Sequence, residues 1–229
     1  MRLRVDTGVL VMLQNSELAN VNGHIDFESS RLEANHPYLA ERGFTADTVR
    51  HFGLGYCSKG LMAGRIVIPL HDQAGHLVGY AGRIVDNSAI SAETPKYMFH
   101  STRVGNNACH EFRKSYLAYN MNATPNVVDH LIVVEGMPSV WWLQQAGIQN
   151  AVALMGSMCS EEQGKLLVTK TSVGGRITVF PDSDDAGMRF IQGVFAQVGR
   201  RRWMQWIGIE RWRQPTSCCP SELAELLRE

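Results

Sequence analysis

Two stretches of the chain end in acidic residues, and their types and spacing could support catalysis. LIVVEG, residues 131–136, ends in Glu135-Gly136, and ITVFPDSDDAG, residues 177–187, places Asp182 and Asp184 two residues apart. Each stretch begins with consecutive apolar residues, as in strands that are buried on both faces of a parallel sheet. Ligands bind beyond the carboxyl ends of such strands. Glu135, Asp182 and Asp184 are therefore predicted to meet at one edge of a sheet.

Carboxylates that lie together repel one another and raise each other's pKa unless a cation lies between them. Mg²⁺ and Mn²⁺ prefer oxygen ligands, so the sequence predicts a magnesium or manganese site at Glu135, Asp182 and Asp184. Helix capping is a simpler role for an acid just before Ala186, where a helix is predicted to begin. Asp185 is the acid for which we favour that role. The backbone amides of Gly136 and Gly156 are candidate phosphate contacts at helix N-termini.

The elements that must position these acids alternate along the second half of the chain. The patterns predict strands at 131–134, 151–154, 176–180 and 203–209. They predict helices at 139–146, from Ser160 to the Gly174-Gly175 pair, at 186–198, and around Leu223. Phe195 of the third helix and the tryptophans of the last strand are expected in the core. This alternation predicts βαβ units and a mainly parallel α/β sheet.

The first half of the chain has a different pattern. A short helix from Pro37 is predicted to stop at Gly43, and a second one to begin after Thr45 as N-cap. Strands at 64–70 and 77–83 flank a polar turn and predict an antiparallel hairpin. Residues 94–119 are predicted to form a loop followed by a short helix. Residues 1–35 carry the weakest signal and are expected to be an arm or a partial segment.

Basic side chains are spread along the first half of the chain. A single Lys or Arg is most often a solvated surface charge. As a set, they could form a basic face that binds nucleic acid or nucleotides. The residues are Arg65, Arg83, Lys96, Arg113 and Lys114.

Composition bounds the class of protein. The 229 residues include 22 basic and 22 acidic side chains, so any nucleic-acid surface must be local. The N-terminal apolar run is too short and too charged for a signal peptide or membrane span, so a cytoplasmic protein is expected. The five cysteines contain no Cys-x-x-Cys spacing and are expected as free thiols. The histidines at positions 71, 76, 100 and 110 lack metal-ligand spacing and are expected on the surface or in loops.

Several blocks together resemble a known family. VVEG, the glycine turn in ALMGS, and DSDDAG are similar, in order and spacing, to the Toprim domain of topoisomerases, primases and some nucleases. YLAERGFTADTVRHFGLGY, GRIVIPLHDQAGHLVGYAGR and TPKY resemble the N-terminal part of the catalytic core of bacterial DnaG-type primases. The resemblance covers roughly residues 36–228. It implies a smaller α+β subdomain at 36–125 and a Toprim domain, Rossmann-like with flanking helices, at 126–229.

The resemblance also implies roles for particular residues. Glu135 matches the Toprim glutamate, a metal ligand and acid/base candidate, and Asp182 and Asp184 match the metal-binding DxD pair. Arg65, Arg83 and Lys96 fall where primases keep basic residues that face the template and the incoming nucleotide. The implied activity is synthesis of short RNA primers from nucleoside triphosphates on single-stranded DNA. Short primase-like proteins of this kind occur on phages, plasmids and other mobile elements.

The chain also departs from the family pattern. Primases carry a zinc-binding domain and a helicase-binding domain that are not encoded in these residues, so a separate zinc module or a helicase is a possible partner. Cys219 and Ser221 stand where a further acidic pair is usual, and Met137-Pro138-Ser139 where an additional aspartate is common.

Two other functions remain open. One is a Toprim nuclease that uses the same acids to activate water, and the other is a replication accessory protein that binds single-stranded nucleic acid without catalysis. The size of the chain argues against a topoisomerase. The stretch 200–206, with Arg211-Trp212-Arg213, mixes cations and aromatics as single-strand binders do, although its tryptophans fit a core strand better.

Overall fold

The computed structural model describes residues 21–25, 32–100 and 112–227. It contains two four-stranded sheets, one from each half of the chain. Predictions for residues 1–20, 26–31, 101–111 and 228–229, including the one for His110, lie outside the described residues.

The first sheet is antiparallel throughout, with its strands in sequence order. The predicted hairpin is confirmed, since β2 pairs with β3 and Asp72 begins the turn between them. The prediction for 94–119 is wrong in part, because β4 pairs with β3 as an edge strand. Its half-buried aromatics, with polar flanks, lack the clean alternation that predicts a strand. The strands are β1 (Gly55–Cys57), β2 (Arg65–His71), β3 (Leu77–Ile84) and β4 (Tyr97–His100).

Two short helices precede this sheet, as predicted. Helix α1 (Pro37–Glu41) is followed by Gly43, whose φ of +82° suits glycine. Helix α2 (Ala46–His51) begins at the Thr45 cap, whose hydroxyl accepts a hydrogen bond from the Thr48 amide. One-turn 3₁₀ helices cover Asn87–Ala89, Lys114–Tyr116 and Pro215–Ser217.

The second sheet is parallel, in the order β6-β5-β7-β8, which confirms the predicted α/β architecture. Its strands are β5 (Val128–Val134), β6 (Ala151–Ala153), β7 (Thr171–Phe180) and β8 (Trp203–Trp206). The helices between them are α3 (Met137–Gln145), α4 (Glu161–Lys170) and α5 (Asp185–Val198), and α6 (Pro220–Leu226) follows. Helix α4 begins after Ser160, as predicted, and Ser160 and Gln163 form a capping box at its start.

Two details of the second half differ from the prediction. The Gly174-Gly175 pair lies within β7 rather than ending α4, because the strand starts at Thr171, which pairs with Val128. The pairing of β5 and β7 is irregular between Val128 and His130, and Gly174 has a φ of +93°. Here the glycines mark an irregular strand rather than a helix end.

The second difference concerns aromatic side chains. Trp203 and Trp206 are 61% and 60% exposed and Phe195 is 54% exposed, so their predicted places in the core are wrong. The strand β8 lies at the edge of its sheet, paired with β7 on one side. On α5, the buried positions are Phe190, Ile191, Val194 and Val198.

One apolar core joins the two sheets. Leu39 and Ile68 from the first half belong to the same buried cluster as Ile132, Phe180 and Leu223 from the second. Burial of such side chains is the main stabilising contribution to the fold, and here it holds the two sheets against each other. In the described part of the chain, no helix has the length and apolar character that crossing a bilayer requires.

Candidate active site

A cleft of about 360 Å³ lies between the two sheets. Helix α1 and strands β3 and β4 contribute one wall, and the ends of β5, β6 and β7 contribute the other. The parallel strands point their carboxyl ends at the cleft, which is where this type of sheet binds ligands.

The acidic wall of the cleft consists of Glu135 and Asp182. Glu135 directly follows β5, and Asp182 lies two residues beyond the end of β7. These strands are neighbours in the sheet, so the two acids lie side by side. The Oε1 atom of Glu135 accepts a hydrogen bond of 3.0 Å from the Asp182 backbone amide. This bond orients the Glu135 carboxyl group across the sheet edge.

The two carboxyl groups of the acidic wall have raised pKa values. Burial, with the nearby charges of Asp182 and Asp184, raises the pKa of Glu135 to about 7, although the Asp182 amide opposes this shift. Burial and the charge of Asp184 likewise raise the pKa of Asp182, and Lys96 partly offsets them. Both carboxyls therefore lie where added positive charge would be stabilising.

Asp184 caps the N-terminus of α5, a role that the sequence predicts for Asp185. Its Oδ1 atom accepts a hydrogen bond of 2.9 Å from the Gly187 amide, so Asp184 is the N-cap of α5 and Asp185 is the first helical residue. The preference for Asp185 as the cap is wrong. Asp184 does not line the cleft. It lines a neighbouring pocket, and Asp182 lines both.

The three acids do not converge tightly. Within the described ranges, the one group of three or more His, Cys, Asp or Glu residues whose ligand atoms all lie within 4.8 Å of one another is His24, Asp72 and His76. Glu135, Asp182 and Asp184 thus form a looser set, in which one oxygen of Asp184 is already engaged by its helix cap.

The basic wall of the cleft consists of Arg42, Arg83, Lys96 and Lys114. Arg83 lies over the rings of Tyr38 and Tyr97, at 5.8 and 5.7 Å from their centroids, and bonds Asn87 Oδ1 at 2.6 Å. Desolvation, Arg83 and Arg42 lower the pKa of Lys96, while Asp182 opposes them. The basic wall thus carries a surplus of positive charge that an anion would relieve.

Two of the predicted basic residues lie outside the cleft lining. Arg65 is 5% exposed, and its Nη1 atom donates to the carbonyls of Gly82 and Pro95. Because Pro95 precedes Lys96, Arg65 supports the segment that carries Lys96. Arg113 is exposed, and its backbone forms two hydrogen bonds with the Asn22 side chain.

The two glycines predicted to contact phosphate both line the cleft. Gly136 is the N-cap of α3, so the helix N-terminus faces the cleft. Gly156 lies in the loop after β6, and the next helix starts at Glu161, so its expected place at a helix N-terminus is wrong. A side chain at Gly156 would approach Lys114 Nζ to 3.2 Å.

Comparison with known proteins matches this architecture. A family model described as Toprim-like matches residues 132–210. The DNA primase of Clostridium acetobutylicum is 30% identical over 186 residues, which cover 66% of this chain and 29% of that protein. The DNA primase of Pseudomonas aeruginosa is 28% identical over 230 residues, which cover 83% of this chain and 33% of that protein.

Solved structures match over nearly the whole chain. A DNA primase domain from Pseudomonas aeruginosa has a TM-score of 0.66 and 23% identity, covering 93% of this chain and 75% of that one. A DnaG primase catalytic domain bound to ssDNA has a TM-score of 0.65 and 20% identity, covering 95% and 77%. This chain is a Toprim-domain protein that resembles the DnaG primase core.

The resemblance to the DnaG core has a definite extent. The chain spans about a third or less of the length of the curated primases it matches. The Toprim-like match covers all of the second sheet except the first residues of β5. The fold predicted from the sequence motifs is thereby confirmed.

The stretch that departs from the primase pattern lies close to the cleft. Gln214 and Thr216 line it, whereas Cys219 and Ser221, at the positions where acids are usual, do not. The Cys219 thiol instead lies 3.0 Å from the Ser221 hydroxyl at the start of α6. The acidic lining of the cleft is therefore Glu135 and Asp182.

Sequence reasoning missed Arg42 of the basic wall and two tyrosines beside that wall, Tyr38 and Tyr97. Arg42 lines the cleft and lies over Tyr38 at 5.7 Å, and Tyr97 lies beneath Arg83. The signal was present in part, since Arg42 and Tyr38 fall in YLAERG and Tyr97 in TPKY, two of the blocks that carried the resemblance. The pattern of apolar and polar residues within each block does not show that the two blocks lie together in the folded protein.

The two walls together suit a specific class of ligand. Carboxylates with a raised pKa are hard oxygen donors for a divalent cation, and cations stacked on aromatic rings suit phosphate groups. A ligand that contains both, such as a metal-bound nucleoside triphosphate, would neutralise each wall at once.

Proposed function

We propose that this chain is a primase-like nucleotidyltransferase that joins ribonucleotides on single-stranded DNA. The observation that carries the proposal is the cleft in which Glu135 and Asp182 oppose Arg83 and Lys96. The DNA primase names of the relatives and the ssDNA-bound DnaG domain among the structural matches support it.

The proposed reaction joins two nucleotides. The 3′-hydroxyl oxygen of one nucleotide attacks the α-phosphorus of a nucleoside triphosphate, the bond to the β-phosphate oxygen breaks, and pyrophosphate leaves. The hydroxyl loses its proton in this step. Glu135 lines the cleft and would accept that proton as the general base.

The basic wall would bind the triphosphate. Lys96 and Lys114 would supply point charges, and Arg83, which lies over the rings of Tyr38 and Tyr97, would supply a planar donor set for phosphate oxygens. The backbone amide of Gly136 at the start of α3 would add a neutral donor, and so would that of Gly156 in the loop after β6. Arg65 would act by supporting the segment of Lys96, and Arg113 by contacting the template outside the cleft.

A divalent ion, Mg²⁺ or Mn²⁺, would be held by Glu135 and Asp182, with Asp184 as the third ligand through its uncapped oxygen. When bound, it would neutralise charge on the transferring phosphate and on the leaving oxygen. The single-stranded DNA template would bind along the basic wall. We further propose a cytoplasmic location and cooperation with a helicase or a separate zinc-binding module.

The test is a primer-synthesis assay with single-stranded DNA, labelled ribonucleotides, and Mg²⁺ or Mn²⁺ in turn. Glu135→Gln keeps the shape of the side chain and removes its charge and proton-accepting role. Glu225→Gln is the matched control, because Glu225 is exposed on α6. Template-dependent short RNA is expected from the native protein and the control, and a loss of about 10²–10⁴-fold from Glu135→Gln.

Other outcomes would redirect the assignment. Shortened template in place of new RNA would identify a nuclease that uses the same acids on water. Binding of DNA with neither product, in both metals and with a zinc-ribbon protein supplied, would identify an accessory protein. Equal RNA synthesis by Glu135→Gln and by the native protein would refute the role of the acidic wall.

A further inference from the structure

A second cluster of ligand atoms lies on the first sheet and outside the residues that line the cleft. It comprises His24, Asp72 and His76, and we refer to it as the histidine cluster. The ligand atoms of all three lie within 4.8 Å of one another. From the sequence, His76 is expected on the surface or in a loop, because no metal-ligand spacing supports another role. His24 lies 52 residues before it and carries no local signal.

Asp72 is held in place by the turn between β2 and β3. Its Oδ1 atom accepts hydrogen bonds of 2.9 Å from the amides of Ala74 and His76. These bonds fix the carboxylate plane and leave Oδ2 directed at the two imidazoles. The Asp72 side chain is 8% exposed, so it is a buried charge with a fixed orientation.

Both imidazoles approach the same oxygen. His24 Nε2 and His76 Nδ1 each lie 3.2 Å from Asp72 Oδ2. The two rings are stacked, with centroids 4.2 Å apart. The rings are about half exposed, at 47% and 56%, so a cation could reach the cluster and one ligand position would face solvent.

The distances match those between ligands of a tetrahedral transition-metal site. Zinc lies about 2.0–2.1 Å from nitrogen and oxygen ligands, so neighbouring ligand atoms are separated by about 3.3 Å. The two N–O contacts to Asp72, which are hydrogen bonds of 3.2 Å in this structure, are close to this value. A calcium or magnesium site would use oxygen ligands instead, so two imidazoles favour zinc-class ions.

We propose that the histidine cluster binds a zinc-class divalent cation, and that the bound ion joins the segment 21–25 to the turn between β2 and β3. The segment 21–25 also contacts the start of β3 and the backbone next to the basic wall. Ile25 donates its amide to Leu77 at the start of β3, and Asn22 pairs with the backbone of Arg113, next to Lys114 of the basic wall. The ion would therefore brace one side of the cleft.

The site is distinct from the acidic wall in both chemistry and position. Nitrogen ligands distinguish it from Glu135 and Asp182, which supply oxygen only. The proposal therefore does not rest on the proposed function. It is tested by metal binding and not by RNA synthesis.

The test titrates metal-free protein with Zn²⁺ by calorimetry, in millimolar Mg²⁺ so that oxygen sites are occupied, and with Co²⁺ by visible absorption. His24→Gln and His76→Gln each remove one ligand. His51→Gln is the matched control, because His51 is an exposed histidine elsewhere on the first half. The five cysteines of the chain are the same in every protein compared, so binding of Zn²⁺ by their thiols cancels in the comparison.

One Zn²⁺ equivalent is expected in the native protein and in His51→Gln, with affinity lowered by about 10-fold or more in each ligand variant. Zn²⁺ should raise the melting temperature of the native protein and of the control more than that of the ligand variants. Asp72→Asn keeps an oxygen for the turn amides and should weaken Zn²⁺ binding similarly. Equal Zn²⁺ affinity in all proteins, or no binding by the native protein, would overturn the proposal.

Discussion

The two walls of the cleft are positioned by different kinds of interaction. On the acidic wall, Glu135 and Asp182 follow the ends of neighbouring parallel strands, and the Asp182 backbone amide donates a hydrogen bond to the Glu135 carboxylate. On the basic wall, Arg83 lies over the rings of Tyr38 and Tyr97, which come from separate elements, and donates to the Asn87 side chain. Backbone geometry thus sets the acids, whereas side-chain contacts across the fold set the cations.

This difference implies that substitutions on the two sides should fail in different ways. Changes to the buried supports of the basic wall should lower stability, changes to its cleft-facing cations should lower ligand affinity, and changes to the acids should alter the response to pH and metal.

The largest expected effect on stability is at Arg65, which supports the basic wall from behind. Arg65→Met keeps the apolar stem but leaves the carbonyls of Gly82 and Pro95 without this donor. The expected loss in the free energy of unfolding is about 2 kcal/mol. Urea unfolding would measure it, with Arg50→Met as control, because Arg50 is exposed and pairs with exposed Asp47. A loss no greater than that of the control would show that Arg65 supports nothing.

The contrast between the walls also explains what could be predicted from the sequence. The structure places Glu135 and Asp182 in the cleft lining, and their position at the sheet edge could be predicted because a strand pattern and the acid after it are local in sequence. Arg65 and Arg113 were named as binding residues but do not line the cleft, and Arg42 was missed, because no local pattern reports which side of a sheet an arginine reaches.

The same limit applies to parts of the fold. The parallel sheet follows from apolar runs in the sequence, whereas β4 and the exposure of Trp203 and Trp206 depend on where the sheet edges fall. The histidine cluster is the extreme case, since His24 and His76 meet through the tertiary fold.

The next effect concerns Glu135 and pH. Its pKa is raised from 4.5 to about 7 in the folded protein. Between these values the unfolded chain has lost the proton that the folded chain retains, so stability is fully present below pH 4.5 and falls as pH rises to 7. After allowance for solvent screening of this partly exposed group, the fall is about 1–2 kcal/mol.

Unfolding free energies at pH 5 and pH 7.5 in a chelator would measure this slope. Glu135→Gln should flatten it, leaving the smaller contribution of Asp182, and Glu225→Gln should leave it unchanged. Millimolar Mg²⁺ should reduce the slope in the native protein, because a cation stabilises the charged carboxylates. A slope that Glu135→Gln leaves intact would place the titrating group elsewhere.

Lys96 tests the opposite wall at a smaller expected magnitude. Lys96→Met should weaken binding of a nucleoside triphosphate by about 10-fold, or about 1.4 kcal/mol. Stability should be unchanged or slightly higher, because desolvation and the nearby Arg83 and Arg42 already disfavour the charged ammonium. Fluorescence titration with a labelled nucleotide would measure the affinity. Lys59→Met, which changes an exposed residue between β1 and β2, is the control.

The smallest expected change separates the two roles of Asp184. Asp184→Ala removes the cap of α5 and should cost about 1 kcal/mol, whereas Asp184→Asn retains a good N-cap and should cost little. If Asp184 is also a metal ligand, both variants should lose RNA synthesis, because each lacks the charge. Asp185→Asn, at the first helical position, is the control and should retain activity. Full activity in Asp184→Asn would restrict the proposed metal ligands to Glu135 and Asp182 and leave Asp184 as a helix cap.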